Sequence, residues 1–396
     1  MGWINVVTEK RNYGLSVAIA IMILSILQNH VNIVSPAMER INAAFPGYSD
    51  KTVAMVLTIA SIGAIPATLA AGILTYRFRE KDIVLFGFCL LTISGILSMI
   101  TSNFVFLLVL RFFTGFGAGL VSPFQTSLIP KYFSGNRASL LYGLQCCVVS
   151  SFAIIYGFLG GWLASKQWNY CFSLYSLGLL GLLVVLFWLP RGEVPGSTGE
   201  KHRLSFKGIY ILVLCFTFVY QIGIFSFNSE ISYFITSRNL GDSVYAGYCV
   251  AMNGLGAVLS GLIYGSLRKK VGLWVVPVGL LSISLGFVVL AQASGIIIAM
   301  VGSLMVGFSI GMIMPTVLNL SAAIYKDSNP NWATAVTLCM VSVAQFVNPY
   351  FTSFIRLLFG GGSYRETYIV CGILMLILCV LSCIANQKKL FKEYTI

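Results

Sequence analysis

Thr114-Gly-Phe-Gly-Ala-Gly-Leu-Val-Ser-Pro123 and Val306-Gly-Phe-Ser-Ile-Gly-Met-Ile-Met-Pro315 are two copies of one pattern. Gly115, Phe116, Gly119 and Pro123 fall on Gly307, Phe308, Gly311 and Pro315 at a single shift of 192 residues. A second pair of stretches keeps nearly the same offset. Gly72-Ile-Leu-Thr-Tyr-Arg77 aligns with Gly265-Ser-Leu-Arg-Lys-Lys270 at a shift of 193. Two separate stretches sharing one offset mark an internal duplication, with both halves in the same orientation. Parallel halves are one of the repeat arrangements of membrane transporters, whose solute sites lie near the bilayer midplane where the halves meet.

Outward from these stretches, the composition fixes the solvent. Of the 396 residues 58% are apolar and only 9% are charged, against about 25% charged in soluble domains. Such a chain is stable only where its surface can face hydrocarbon. Runs long enough to span read at 14–38, 50–75, 82–101, 104–128, 138–163, 169–190, 208–236, 243–267, 273–293, 296–323, 332–357 and 365–386. The polar, Gly- and Pro-containing stretch 191–207 separates the sixth run from the seventh. The expected organisation is therefore all-α and integral to the membrane, with twelve transmembrane helices in two pseudo-symmetric six-helix bundles. Residues 1–190 form one bundle, 191–207 a cytoplasmic linker, and 208–396 the second bundle with a short cytoplasmic tail.

The net charge of +13 reads as topology. With the N-terminus inside, Arg40, Lys51, Lys166, Arg238, Arg356 and Arg365 lie outside and Arg111 lies within a span. The remaining eighteen of the 25 Lys and Arg residues lie inside. That bias is the positive-inside signature, with both termini cytoplasmic. No basic face with interleaved aromatics suggests nucleic acid. The ten cysteines fall inside apolar runs. They read as small packing residues, Cys379 and Cys383 included, rather than as disulfides or metal ligands. Lys10 and Arg11 before the first run suit a signal-anchor rather than a cleaved leader.

At these residues the chain resembles the major facilitator superfamily (MFS), and the resemblance covers all twelve spans. The family's loop after span two usually reads Gly-x-x-x-Asp-Arg-x-Gly-Arg-Lys. Here Gly72, Arg77 and Lys81 keep the pattern, while Tyr76 stands at the Asp place and Arg79 at the second Gly. The second copy has Gly265 and Gly272, with Lys269 at the Asp place. The span-four pattern runs Arg111-Phe-Phe-Thr-Gly115-Phe-Gly117-Ala-Gly119. The antiporter pattern in span five is poorly matched, with Tyr156-Gly157 where Gly-Pro is usual. The resemblance implies alternating access without covalent chemistry, and a cytoplasmic latch that Tyr76 and Lys269 cannot supply with a carboxylate. Gly72, Tyr76, Arg77, Gly265 and Lys269 are the candidate cytoplasmic gate, with a resting preference for opening inward. Gly115, Gly119, Gly157, Gly161 and Gly261 are candidate close-packing positions. The resemblance implies that spans five and eight meet across the halves.

Polar groups inside spans are the candidate site. Arg111 lies about 10 Å deep at 1.5 Å per residue, where a guanidinium costs at least about 2.5–3.5 kcal/mol. Either it faces the cavity and meets an anionic group, or it ties down backbone carbonyls of a neighbouring helix. Glu230, well inside span seven at a similar depth, is a candidate proton-coupling residue or a carboxylate reaching interfacial water. Gln28-Asn29-His30 and Asn32 form a dense polar cluster in span one. His30 is a second proton-coupling candidate, and interhelical hydrogen bonding is its plainer alternative. In the family, spans one, four, seven and ten line the cavity. That implication selects Asn29, Asn32, Arg111, Gln125, Gln221, Asn228 and Asn319 as substrate-binding candidates, each equally suited to a structural hydrogen bond. Gln145, Tyr233, Asn253, Gln345 and Asn348 are further polar positions in the spans.

The sequence carries no phosphate-binding loop, metal constellation or catalytic triad, so no enzyme activity and no cofactor are expected. The expected partners are a small-molecule substrate, the lipid bilayer and protons as a coupling ion, with the chain working as a monomer. The function that follows is secondary transport of a small organic solute in a bacterial inner membrane. Efflux of drugs or other hydrophobic compounds, or a non-transporting solute sensor, are the alternatives.

Overall fold

The computed structural model describes residues 14–75, 77–133, 135–191, 207–325, 330–359 and 364–387. Apolar runs with neither flanking water nor competing polar side chains close their own backbone hydrogen bonds, and every long run here is helical. We number the elements by expected span. The first, α1, is broken: Leu15–Asn29 and Val31–Ala44 meet at 44°. Then follow α2 (Asp50–Leu74), α3 (Glu80–Ile100), α4 (Phe104–Tyr132) and α5 (Gly135–Lys166). Next, α6 (Trp168–Trp188) opens as a 3-10 turn and continues as α-helix. The second half holds α7 (Gly208–Ser237), α8 (Ser243–Val271), α9 (Val275–Ala291), α10 (Ile296–Ile324), α11 (Pro330–Leu358) and α12 (Tyr364–Gln387). No strand occurs among the described residues.

Ten stretches are long and apolar enough to cross a membrane, eleven when the bent α1 counts as one. One of the ten, Ser243–Ala291, runs 49 residues. At 1.5 Å per residue it would extend about 74 Å, more than twice a hydrocarbon core of about 30 Å. The chain reverses within it at Gly272, whose φ of 59° is open chiefly to glycine. α8 runs parallel to α10 (Asn253 by Gly307, Ala257 by Gly311), whereas α9 runs antiparallel to it (Gly279 by Ile313, Gly286 by Gly302). Counted as two, that stretch brings the total to the twelve expected.

The duplication read in the sequence is a duplication of contacts. A Cβ on Gly115 would collide with the backbone oxygen of Ala60, and one on Gly307 with that of Asn253. Gly63 faces the backbone of Phe112 and Phe116, as Gly256 faces Leu304 and Phe308. Gly87 lies against Leu120 and Val121, as Gly279 lies against Met312 and Ile313. Gly119 approaches Ala64, and Gly311 approaches Ala257 and Ser260. Lipid supplies no hydrophobic drive between helices, so such backbone-to-backbone approach is a main source of cohesion. One apolar core is built from Val17 to Leu189 and joined by Tyr233, the other from Tyr210 to Cys379.

Helix ends are fixed locally. Ser49 accepts from the Thr52 amide (3.3 Å), Asn103 Oδ1 from Phe106 (3.1 Å) and Asp242 Oδ1 from Val244 (3.0 Å), satisfying amides that lack an intrahelical acceptor. Lys81, a kept position of the loop pattern, donates to the carbonyls of Leu186 (2.7 Å) and Leu189 (2.6 Å) and so caps α6. The break in α1 departs from the expected continuous span. Residues Ile26–Asn29 and Ser35–Ala37 are 3-10, and Pro36 in the second turn has no N–H to donate.

Candidate functional site

The turns α1–α2, α5–α6 and α7–α8 lie on one face, here termed the distal face; the face at the start of α1 and the end of α12 is the terminal face. Across the seam between the bundles, contacts gather towards the distal face. Arg40 pairs with Asp242 (3.6 Å) and Arg356 with Asp50 (3.7 Å). Lys51 Nζ sits 4.1 Å from the centre of the Tyr350 ring, and Tyr364 donates to Asp50 (3.5 Å). Ser232 donates to the Pro36 carbonyl (3.0 Å) and accepts from the Glu39 amide (3.2 Å), while Ser35 donates to the Asn228 carbonyl. The backbones of α5 and α8 touch at Gly161, against Ser243 and Gly247, and at Gly157, whose Cβ would lie 2.8 Å from the Ala251 nitrogen.

Towards the terminal face the α5–α8 contact continues to Gly254, which lies against Ile154. Gly261 and Gly265 on α8 have nothing within 4 Å of an added Cβ, and Gly72 on α2 is equally free. Gly261 therefore does not join α8 to α5. Its backbone nitrogen instead borders Gly311 inside the second bundle, 2.6 Å from an added Cβ. Arg77 and Lys269 are exposed, and Tyr76 and residues 192–206 of the linker lie outside the described residues. Among the described residues on this face, Glu80 pairs with Lys131 (2.5 Å), within the first bundle.

Arg111 is fully buried. Its Nε donates to the Val56 carbonyl (2.9 Å), its Nη1 to the Tyr175 hydroxyl (2.7 Å), and Nη2 has no acceptor. The rings of Phe172 and Tyr175 lie about 6 Å away (6.0 and 5.9 Å to centroid). Arg111 thus ties α4 to α2 and α6 inside the first bundle, and it does not meet Glu230. Gln125 donates to the Leu24 carbonyl (3.0 Å) and Gln145 to Ser25 (3.1 Å), both bracing the broken α1. Asn29 donates to Val149 (3.2 Å), and His30 sits buried at the break with Nδ1 3.3 Å from the Leu27 carbonyl. Asn32 is half-buried and Asn319 is exposed. Gln221 reaches Met314 Sδ (3.0 Å), while Asn228 donates to its own helix at Ile224 (3.2 Å) and leaves its Oδ1 unpaired. Asn348 binds α11 to α7 through Ser226 (2.8 Å), Ser229 (2.7 Å) and Ile222 (3.1 Å).

Glu230 differs from all of these. It is 3% exposed, and neither carboxylate oxygen accepts a hydrogen bond. Its counter-charge is Arg356, whose Nε lies 3.8 Å away. Tyr233, Thr367 and Tyr368 nearby also hold hydroxyls without partners. A small void of about 10 Å³ adjoins Glu230, lined also by Asp50, Ala54, Ser229, Tyr233, Thr352, Arg356 and Tyr364. Sequence reasoning missed Arg356 and Asp50. Each stands at a span end and reads there as an ordinary loop charge. The available signal was that Arg356 falls within the last turn of its apolar run.

A sequence profile of the Major Facilitator Superfamily matches residues 13–325 and again 213–389. An uncharacterized MFS-type transporter of Bacillus subtilis is 22% identical over 316 residues, 78% of this chain and 81% of that one. The 3-(3-hydroxy-phenyl)propionate transporter of Escherichia coli is 27% identical over 267 residues, 63% of each. Quinolone resistance protein NorA of Staphylococcus aureus is 22% identical over 290 residues, 70% of this chain and 74% of that one, while three further curated transporters align over only 24% to 34% of their own length. Among solved structures, the inward-open conformation of an E. coli xylose transporter superposes with a TM-score of 0.74 at 17% identity, covering 93% of this chain and 95% of that one. With this profile across the chain and the two-bundle fold beneath it, the protein belongs to the major facilitator superfamily of membrane transporters.

Proposed function

We propose that the chain is a secondary active transporter that carries a small organic solute across a bacterial inner membrane by alternating access. A proton or solute gradient drives it, the terminal face is cytoplasmic, and Glu230 is the proton-coupling residue. The observation that carries this reading is the one-sided seam. Ion pairs and backbone contacts join the bundles at the distal face, and Gly261 and Gly265 of α8 stand clear at the other, which supports an inward-open carrier. The relatives support a small polar or amphipathic cargo. One carries an aromatic acid by name and a structural neighbour carries a sugar. Asn29 and Asn32 on α1 and Asn319 on α10, half-buried or exposed, offer amide donors and acceptors suited to hydroxyl and carboxyl groups.

Purified protein in liposomes is offered labelled sugars and aromatic acids under an imposed pH gradient. Concentrative uptake of one of them is the expected result, with Glu230→Gln retaining exchange of that solute and losing its acceleration by the gradient. Binding without flux identifies a sensor, and flux restricted to lipophilic dyes identifies efflux; either outcome replaces this reading.

A further inference from the structure

The geometry points to Arg356 as the residue that ties a proton at Glu230 to closure of the distal face. This inference rests on the alternating-access reading and adds to it a residue and a direction. Arg356 reaches two carboxylates at once. Its Nε lies 3.8 Å from Glu230 in its own bundle and its Nη1 3.7 Å from Asp50 in the other. The two legs are not equivalent. The Glu230 side chain is 3% exposed and that of Arg356 16%, whereas that of Asp50 is 49% exposed. The solvated leg is the weak one, and it is the one that crosses the seam.

Counting charge gives the direction. With the distal face closed, Arg356 faces both carboxylates, so the trio carries −1 when Glu230 is ionised and 0 when it is protonated. When the distal face opens, Asp50 leaves with its bundle. Arg356 and Glu230 then sum to 0 when Glu230 is ionised and to +1 when it is protonated. An unbalanced charge is costly where water is scarce. A proton on Glu230 therefore favours the closed distal face, and its loss favours the open one. By linkage the two events promote each other. A carrier built this way takes its proton from the distal side and closes behind it.

The surroundings keep the count simple. The titratable and charged groups facing Glu230 are Arg356 from α11, Tyr364, Tyr368 and Cys371 from α12, Tyr233 from α7 and Asp50 from α2. Tyr233 and Tyr364 stack with ring centres 5.4 Å apart, and the Arg356 guanidinium lies 5.0 Å from the Tyr364 ring. Those rings wall Arg356 in beside its two acceptors.

The test measures opening directly. Spin labels at Gly47→Cys and Gly295→Cys, positions with nothing within 4 Å of an added Cβ, report the distance between the bundles across the distal face. The full chain is labelled with its native cysteines replaced and its fold checked by melting. Raising the pH should increase the ratio of long to short distances by about 5- to 150-fold, the usual span of coupling between two sites. Glu230→Gln should hold the short distance at every pH, and Asp50→Asn should favour the long one at every pH. Arg356→Lys keeps the charge and should retain part of the response if the Gln variant folds poorly. A pH response that survives in Glu230→Gln, or an Asp50→Asn chain as closed as the parent, overturns the inference. Because distances are read without any solute, failure to find a transported substrate leaves this result standing on its own.

Discussion

The two ends of the seam between the bundles are made from the same helices and behave oppositely. At the distal end α5 and α8 touch backbone to backbone at Gly157 and Gly161, and two ion pairs bridge the gap. At the terminal end α8 presents Gly261 and Gly265 to open space. Small residues are present at both ends, so the glycine pattern permits closeness without producing it. Among the described residues, ion pairs cross the seam at the distal end and not at the other. Asp50 and Asp242 face arginines at the distal end. At the other end, Lys269 and Tyr76 occupy the places where a family member usually has Asp. A latch needs an acceptor as well as a groove.

That contrast can be broken most severely at Gly161. A valine there must enter the space of the Ser243 carbonyl, and backbone does not rotate away as a side chain does. Gly161→Val should cost about 3 kcal/mol, the upper end for overpacking, and abolish the short distal distance, as melting and spin-label spectra would show. A control away from the seam comes next. Arg111→Lys keeps the charge but cannot reach Val56 and Tyr175 together. It should lose about 1–3 kcal/mol while leaving distances across the seam unchanged; a shifted seam would assign Arg111 to the moving surface after all. Arg40→Gln removes a distal ion pair whose side chains are 38% and 45% exposed. The expected loss is below about 1 kcal/mol and is further reduced by salt. The smallest effect belongs to Gly265→Ala. With open space around it, the change should be neutral or stabilising by up to about 1 kcal/mol through helix propensity alone. A clear destabilisation would mean that the terminal end is closed in the resting protein.

Much of this architecture was legible beforehand because lipid leaves few choices. Each expected span lies within a few residues of a helix, since an apolar run in hydrocarbon must satisfy its own backbone. The common offset located the equivalent contacts, down to Gly115 against Ala60 and Gly307 against Asn253. The break in α1 was not legible, because Pro36 and the polar run Gln28-Asn29-His30 each tolerate a straight helix. The charged residues divide in the same way. A buried arginine announces its depth but not its neighbour, and only the packing of α6 turned Arg111 inward to Tyr175. The trio of Asp50, Glu230 and Arg356 was beyond reach for a different reason. Its members come from three helices far apart in the chain, and two of them look like routine interface charges.

The twinned glycine contacts also bear on how far the protein must move. Because α2 and α4, and likewise α8 and α10, press main chain on main chain, each pair resists internal flexing. Each is a stiff lever. A helix such as α8, 29 residues long, measures about 44 Å at 1.5 Å per residue. Pivoting it by roughly 10° about its distal end sweeps the far tip through about 8 Å, the width of a small solute. In the alternating-access reading proposed above, a change of a few ångströms around one arginine becomes a doorway at the opposite end.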